Sequence, residues 1–565
     1  MPIAHKITNW FANAALNLRL SAVSARQGAR LAGLARDPTR AQHRLLMQIV
    51  HANAQTTFGR EHGFGAISSY EEFAARVPVS TFEELRPYVA AEMERGEAAL
   101  TIEPPVCYVR TSGTTDKPKD LPLTASHLQS LRRIQETAIA FQHRRCPEAF
   151  TGSMLAIVSP PREGVMANGR SFGSASGFVA RSTPRVVRNK FVVPPLVLTL
   201  KDSQLKYLLI LRLALARADL SYLATANPTT VLTLLRLYRE HRTTLINDVR
   251  CGGFCRTAEL PPDVADAVAN RLMADEHRAS ELERLHNSGK EPRIADLWPR
   301  LRLVGTWTFG SSSVAVDALR RELPPQARIV DIGYIASEFR GTITLGRRSG
   351  AGIPTLDTHF FEFVERDPWD CGQPQYLTLE QLRKGRDYYV IVTTPSGLYR
   401  YFINDLVRVV GRLHRTPLLR FVQKGKGVTS LTGEKLYESQ VLDAVRAVLD
   451  RHGMSAPFVM MLADEAELRY TLYMEAENQA RPDRAVVAIA IDRRLAELNL
   501  EYQSKRESQR LNGLTLHWLR RQTGDAYKQH CVRQGQREGQ FKTVALGYRK
   551  DFSFDLDACV EQSPS

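Results

Sequence analysis

The chain has 565 residues, 43% hydrophobic and 24% charged, a length beyond one hydrophobic core and a composition that excludes a largely disordered polymer. Its 76 Lys and Arg against 60 Asp and Glu give a formal charge of +16. The excess comes from interspersed arginines without a dense basic run or a nucleic-acid module, so it reads as a solvated surface that suits an anionic small molecule, not nucleic acid.

The N-terminal stretch reads as an amphipathic helix, because no uninterrupted apolar segment with a small-residue cleavage site is present. The next residues to about position 100 are helical in spacing, with breaks at Pro38, Pro78 and Pro87. EPPVCYVR is a short β-rich run that leads into the polar TSGTTDKPKDLPLT. SHLQSLRRIQETAIAFQ follows as a helix capped by Ser126, and MLAIVS is a buried strand ended by Pro160 and Pro161. Helices are expected over Gln204 to Tyr238, broken once at Pro228, and over Pro261 to Ser288. Within the first, the apolar run Tyr207 to Leu215 is interrupted by Arg212, and no run approaches the roughly 20 apolar residues of a membrane span.

From Leu301 strands alternate with short helices: LRLVGTW, a helix near Val316 to Glu322, then RIVDIGY. Beyond Thr355 the chain is dense in strands: HFFEFVE, DYYVIVTT, LYRYFIND, LVRVVGR and LLRFVQK. KGKGVTSLTG is a glycine-punctuated linker. After it come an amphipathic helix, EKLYESQVLDAVRAVLDRHG, and three expected strands, FVMMLA, LRYTLYM and AVVAIAI. The pattern predicts an α/β protein: a large N-terminal α/β domain with a β-rich subdomain over 1–424, and a small, mobile C-terminal α+β domain over 425–565. The seven scattered cysteines fit reduced thiols and a cytoplasmic location; Cys251 and Cys255 lack a second pair at zinc-ligand spacing.

Chemistry concentrates in three segments. In TSGTTDKPK, Gly113 permits backbone N–H groups to face a phosphate, Ser112, Thr114 and Thr115 supply hydroxyls, and Lys117 and Lys119 add charge. The Walker spacing is absent. In DIGYIASEFRG, Tyr334, Ser337 and Glu338 follow a strand, where an α/β sheet presents its binding loops. An aromatic ring there can stack on a purine, and a carboxylate can hold Mg2+. In LYRYFINDLVRVVG, Asp405 is placed at a turn between two strands, suited to accept hydrogen bonds from ribose hydroxyls, with Arg400 or Arg408 adding charge.

In this order the segments resemble the adenylate-forming enzymes, and most of all the auxin-responsive-promoter (Gretchen Hagen) family of acyl acid amido synthetases and its bacterial members. ATANPTTV, LWPRLRLVGTWTFGSS, FVQKGKGVTSLTGEKLYE and GQFKTV extend the resemblance over nearly the whole chain. The resemblance implies an enzyme that adenylates a carboxylic acid with ATP and Mg2+, then passes the acyl group to an amine, usually an amino acid's. It implies that Ser112, Gly113, Thr114, Thr115 and Lys119 hold the triphosphate and that Tyr334, with Ser337 in its motif, packs on adenine. Glu338 would sit by Mg2+, Asp405 would bind ribose, and Lys542 would stabilise the adenylation transition state once the small domain closes about a hinge near Gly425 to Gly427.

Two positions depart from the family pattern. Asn404 stands where Gly is usual before the aspartate, and Lys424 where Arg is usual, losing a bidentate fork at the nucleotide. Two other functions fit the same segments: an acyl-CoA ligase, which shares the first half-reaction, and a binding protein on a decayed ligase scaffold. GRSFG (Gly169 to Gly173) has the GxSxG spacing of a serine hydrolase, but its flanks read as a glycine–serine loop that lines an acyl pocket, not as a nucleophile elbow.

Overall fold

The computed structural model describes residues 3–111, 119–181, 185–309, 312–345, 350–370, 373–425, 427–432, 434–477, 482–534, 536, 541 and 543–561. A parallel sheet of spatial order Ser153–Ile157, Leu220–Thr225, Leu303–Thr306 and Arg328–Asp331 lies at the centre of the N-terminal domain. Its strands are short apolar runs because helices cover the sheet. The helix Ser203–Leu215 is buried at every position from Tyr207 to Leu215, as a helix that is apolar all round must be. Arg212 is tolerated there because its guanidinium reaches carbonyls at the exhausted end of the helix Thr229–Cys251: Nε donates to Gly253 O (2.8 Å) and Nη2 to Asp248 O (2.9 Å).

The strand Leu220–Thr225 corrects the helix expected over Gln204 to Tyr238. Periodicity cannot separate a short apolar strand from a buried helix; here parallel pairing on both sides decides it. AVVAIAI is likewise helix, not strand. Within Arg484–Leu498 the buried positions Val487, Ala488, Ile491 and Leu495 recur at helical spacing, and Asp483 caps the first turn through Ala485 N. The cap of the helix Ala125–Arg145 is Thr124, which accepts from His127 N, while Ser126 instead bonds Glu103.

A seven-stranded antiparallel sheet runs in the order Tyr376–Leu377, Phe360–Glu365, Asp387–Thr393, Tyr401–Leu413, Thr416–Lys424, Gly352–Pro354 and Thr342–Thr344. It packs on the N-terminal helices through a shared apolar core that includes Phe58, Phe64, Phe73, Phe360 and Tyr399, and a buried ion pair lies in the same seam. Arg400, with a left-handed φ of 41°, pairs with Glu362 at 2.8 Å and donates to Ala74 O (2.9 Å) and Val77 O (2.8 Å). Tyr70 OH donates to the same carboxylate at 3.0 Å. The C-terminal domain is a four-stranded sheet, Thr515–Leu519, Arg469–Glu475, Phe458–Asp464 and Leu546–Tyr548, packed against the helices Glu438–Arg451 and Arg484–Leu498.

Replacing Glu362 by Gln leaves the Arg400 guanidinium buried without its counter-charge, so denaturant unfolding should show a loss of about 3–5 kcal/mol; an unchanged midpoint would contradict this account of the pair. A second prediction concerns Glu92, on the helix Phe82–Arg95. It is 5% exposed, neither oxygen has a partner among the described residues, and burial raises the carboxyl to about 8 from 4.5. The folded state then holds the proton more tightly than the unfolded chain. This contribution to stability is full below about 4.5 and is lost as pH rises through 8. Thermal scans of Glu92→Gln against the native chain should show a small Tm difference at pH 5 and a growing advantage for the variant toward pH 8.

Candidate active site

The carboxyl end of the parallel sheet meets the antiparallel sheet at the turn after Asp331. Asp331 accepts from Thr308 N (2.8 Å), Thr308 Oγ1 (2.7 Å) and Gly333 N (2.8 Å), which fixes the exit of the strand. Gly333 has φ +96°, and a Cβ there would lie 2.8 Å from Thr342 O, so only glycine fits. Tyr334 follows with its ring 5.7 Å from Phe421 and edge-on to Phe339. Its hydroxyl donates to Asp405 Oδ2 at 2.9 Å, and Lys424 Nζ donates to Asp405 Oδ1 at 2.8 Å. Asp405 and Lys424 are direct cross-strand partners.

Asp405 does not occupy a hairpin turn, as its sequence neighbours suggested. It lies inside the 13-residue strand Tyr401–Leu413, where the pairing register shifts and Asn404 takes φ 58°. Asparagine supplies the left-handed residue that the pattern usually gives to glycine. Gly425 packs against it: a Cβ there would come 1.9 Å from Asn404 Oδ1, and Gly425 N donates to Asn404 O at 2.8 Å.

Glu338 is carried by the tight turn Ala336–Phe339, closed by Ala336 N donating to Phe339 O at 3.0 Å. Ser337 lies half-buried in that turn. Tyr401 OH donates to Glu338 Oε1 at 3.4 Å, and Lys119 Nζ donates to Tyr401 OH at 3.2 Å. Each of the two groups thus holds one cation, one carboxylate and one phenol: Lys119, Glu338 and Tyr401, and Lys424, Asp405 and Tyr334. Burial alone would lower the Lys424 ammonium, but the Asp405 and Glu338 carboxylates outweigh it and hold the group above its ordinary value. Burial, then the same carboxylates, push the Tyr334 and Tyr401 phenols well up, so both remain donors. Beside Tyr334 an aromatic cleft is lined by Trp307, Phe309, Gly333, Ile335, Gly350 and Phe421.

Of the residues singled out in the sequence, Lys119, Tyr334, Ser337, Glu338, Asp405 and Lys424 converge here. Ser112, Gly113, Thr114, Thr115 and Lys542 lie outside the described residues. The strands that flank the first four pair at Thr111 and Lys119, and Phe541, adjacent to Lys542, accepts at its carbonyl from Asn227 Nδ2 (3.1 Å) at the end of a parallel strand. Arg400 and Arg408 add no charge to the site: Arg400 is committed to Glu362, and Arg408 pairs with Asp387 at 2.6 Å. Ser171 begins the strand Ser171–Gly173, and the helix that follows starts only at Ala175, so the serine is not on a strand-to-helix elbow; the expected loop is a short strand. Tyr401 was given no role from sequence, although it stands four residues before Asp405 on the same alternating strand face. The cleft residues Trp307 and Phe309 had no local signal beyond their aromaticity.

This fold and its clustered site define an adenylate-forming, ATP-using ligase. Models of the GH3 family N-terminal, central and C-terminal domains match residues 28–327, 352–424 and 439–547. The chain belongs to the GH3 family. It is similar to a probable indole-3-acetic acid-amido synthetase GH3.12 of Oryza sativa subsp. japonica, 27% identical over 90% of this chain and 91% of that one. It is also similar to the jasmonoyl–L-amino acid synthetase JAR4 of Nicotiana attenuata, 22% identical over 90% and 91% of the two chains. Among solved structures, the AtGH3.15 acyl acid amido synthetase in complex with 2,4-DB superposes with a TM-score of 0.83 at 21% identity, covering 94% of this chain and 96% of that one. A 2-hydroxyisobutyryl-CoA ligase in its postadenylation state shares the fold more distantly, with a TM-score of 0.55 at 12% identity over 91% and 90% of the chains.

Proposed function

We propose that the protein couples Mg-ATP cleavage to amide formation: a carboxylic acid is adenylated, and the acyl group passes to an amine, which we take to be an amino acid's. The observation that carries this reading is the convergence of Lys119–Tyr401–Glu338 and Tyr334–Asp405–Lys424 at the carboxyl end of a parallel sheet, where open α/β sheets bind nucleotides.

In the first half-reaction the acid's carboxylate oxygen bonds to the α-phosphorus and pyrophosphate leaves with the electron pair. In the second, the amine nitrogen bonds to the acyl carbon, AMP leaves, and the nitrogen loses a proton. Neither step needs a covalent protein intermediate; both need charge stabilisation and alignment. Lys119 supplies charge to the triphosphate, beside Ser112, Gly113, Thr114 and Thr115, with the Thr114 hydroxyl on a phosphate oxygen. Asp405 has lone pairs left for ribose hydroxyls after accepting from Tyr334 and Lys424. Lys424 pairs with that carboxylate and faces the nucleotide as a point charge. The aromatic cleft next to Tyr334 suits the flat adenine ring.

Glu338 suits Mg2+: it is a half-exposed carboxylate with one oxygen engaged by Tyr401, a hard oxygen donor of the kind Mg2+ takes alongside phosphates. Mg2+, when bound, neutralises charge that builds on the phosphates. We further infer that residues 425–565 move as a body about Gly425 to Gly427 and carry Lys542 to the phosphates. A cytoplasmic location is supported by the free thiols of the described cysteines.

Acid-dependent ATP–pyrophosphate exchange tests the first half-reaction, and product analysis with coenzyme A against a panel of amino acids tests the second; thioester without amide would overturn the amide assignment. Glu338→Ala and Asp405→Ala should each cut exchange by about 100-fold. Lys542→Ala should slow exchange more than transfer from preformed adenylate, and if both half-reactions survive intact the lysine has no such role.

A further inference from the structure

Arg340, two residues beyond Glu338, is the least compensated cation near the site. By contrast, Arg400 has Glu362 and two carbonyls, and Arg278 has Glu281, Leu215 O and Leu297 O. Arg340 Nη1 donates to the side-chain oxygen of Gln135, a neutral amide, and Nε is buried with no acceptor among the described residues. Burial lowers the guanidinium to about 10, and the Tyr222 phenol is the one titratable group seen to oppose that. An unpaired buried guanidinium is costly unless an anion meets it.

Its position is fixed from both sides. The backbone pairs with Ile335 across the Glu338 turn, and Arg340 O accepts from Thr355 Oγ1 at 2.9 Å. Facing it is the helix Ala125–Arg145, with Gln135 and, two turns on, Gln142, whose amide oxygen accepts from Tyr222 OH at 2.9 Å. Gly305, on the adjoining strand, lets the Tyr222 hydroxyl come close: a Cβ there would stand 3.3 Å from Tyr222 OH. Polar side chains therefore gather between the helix Ala125–Arg145 and the parallel sheet, beside the turn that carries Glu338.

We propose that Arg340, positioned by Gln135, binds the acyl acid at the end remote from its reacting carboxylate, and that the preferred acids carry a second anionic oxygen group there, such as another carboxylate. This rests on the ligase reading above. Such an acid supplies the missing counter-charge, whereas a monoacid of equal length leaves the guanidinium desolvated and unpaired.

The test uses the full chain with Mg-ATP and matched acid pairs in the exchange assay: hexanoate and adipate, benzoate and isophthalate, cinnamate and 4-carboxycinnamate. The diacid of at least one pair should exceed its monoacid in kcat/KM by roughly tenfold or more. Arg340→Met should collapse that ratio toward one while KM for ATP holds, and Arg340→Lys should keep part of it. Monoacid preference in every pair, or a diacid preference that Arg340→Met leaves intact, would overturn the proposal while the ligase reading stands. No exchange with any of the acids would overturn both. Should Arg340→Met fail to fold by circular dichroism, Gln135→Leu replaces it, with the same loss of preference expected and an unchanged preference counting against the proposal.

Discussion

A buried ion pair stands behind the site. Arg400 and Glu362, with side chains 3% and 1% exposed, gain little net stability from each other, because desolvation offsets most of their attraction. Their value is positional. Once buried, neither can be left without the other, so the strand that carries Arg400 is pinned against the strand of Glu362 and against the carbonyls of Ala74 and Val77. Arg400 and Asn404 both take left-handed backbone angles, and Tyr401 to Ile403 lie between them. The strand is thereby bent at both ends of this short stretch. The bends set Tyr401 toward Lys119 and Glu338, and Asp405 toward Tyr334 and Lys424. Strands hold Lys119, Asp405 and Lys424, and a closed turn holds Glu338.

The chemistry was more legible in the sequence than the path of the backbone. Tyr334 and Glu338 are legible because a strand followed by a small polar turn places them where α/β sheets bind ligands, and Asp405 because an Asn-Asp pair stands between two strand-like runs. Their shared geometry was not legible, because it depends on contacts between residues more than 60 positions apart, as the 71-residue separation of Tyr334 and Asp405 illustrates. Asn404-Asp405 is turn chemistry by sequence, yet the strand absorbs the pair by a register shift. Arg400 looked like a site cation because sequence carries no burial, and a buried arginine and a phosphate-binding one look the same.

The fold misses have one cause. Local composition predicts helix for LSYLAT and strand for AVVAIAI. Tertiary context reversed both: parallel partners on two sides made the first a strand, and burial at every third or fourth residue made the second a helix. Helix and strand propensities differ by less than 1 kcal/mol per residue, so a single well-packed face outweighs them.

The contact between the two domains has a different character from their cores. Arg236 meets Asp525 at 3.0 Å, Arg446 meets Asp317 at 3.1 Å, and Arg321 donates to Met454 O at 3.0 Å. The side chains of both ion pairs are about 30–40% exposed. Pairs of this exposure contribute about 0–1 kcal/mol each and weaken with salt. Asn227, 9% exposed, adds one hydrogen bond to Phe541 O directly above the parallel sheet. An interface built this way is specific without being strong. That combination suits the movement we propose for residues 425–565, since a dry apolar seam at the same place would resist it.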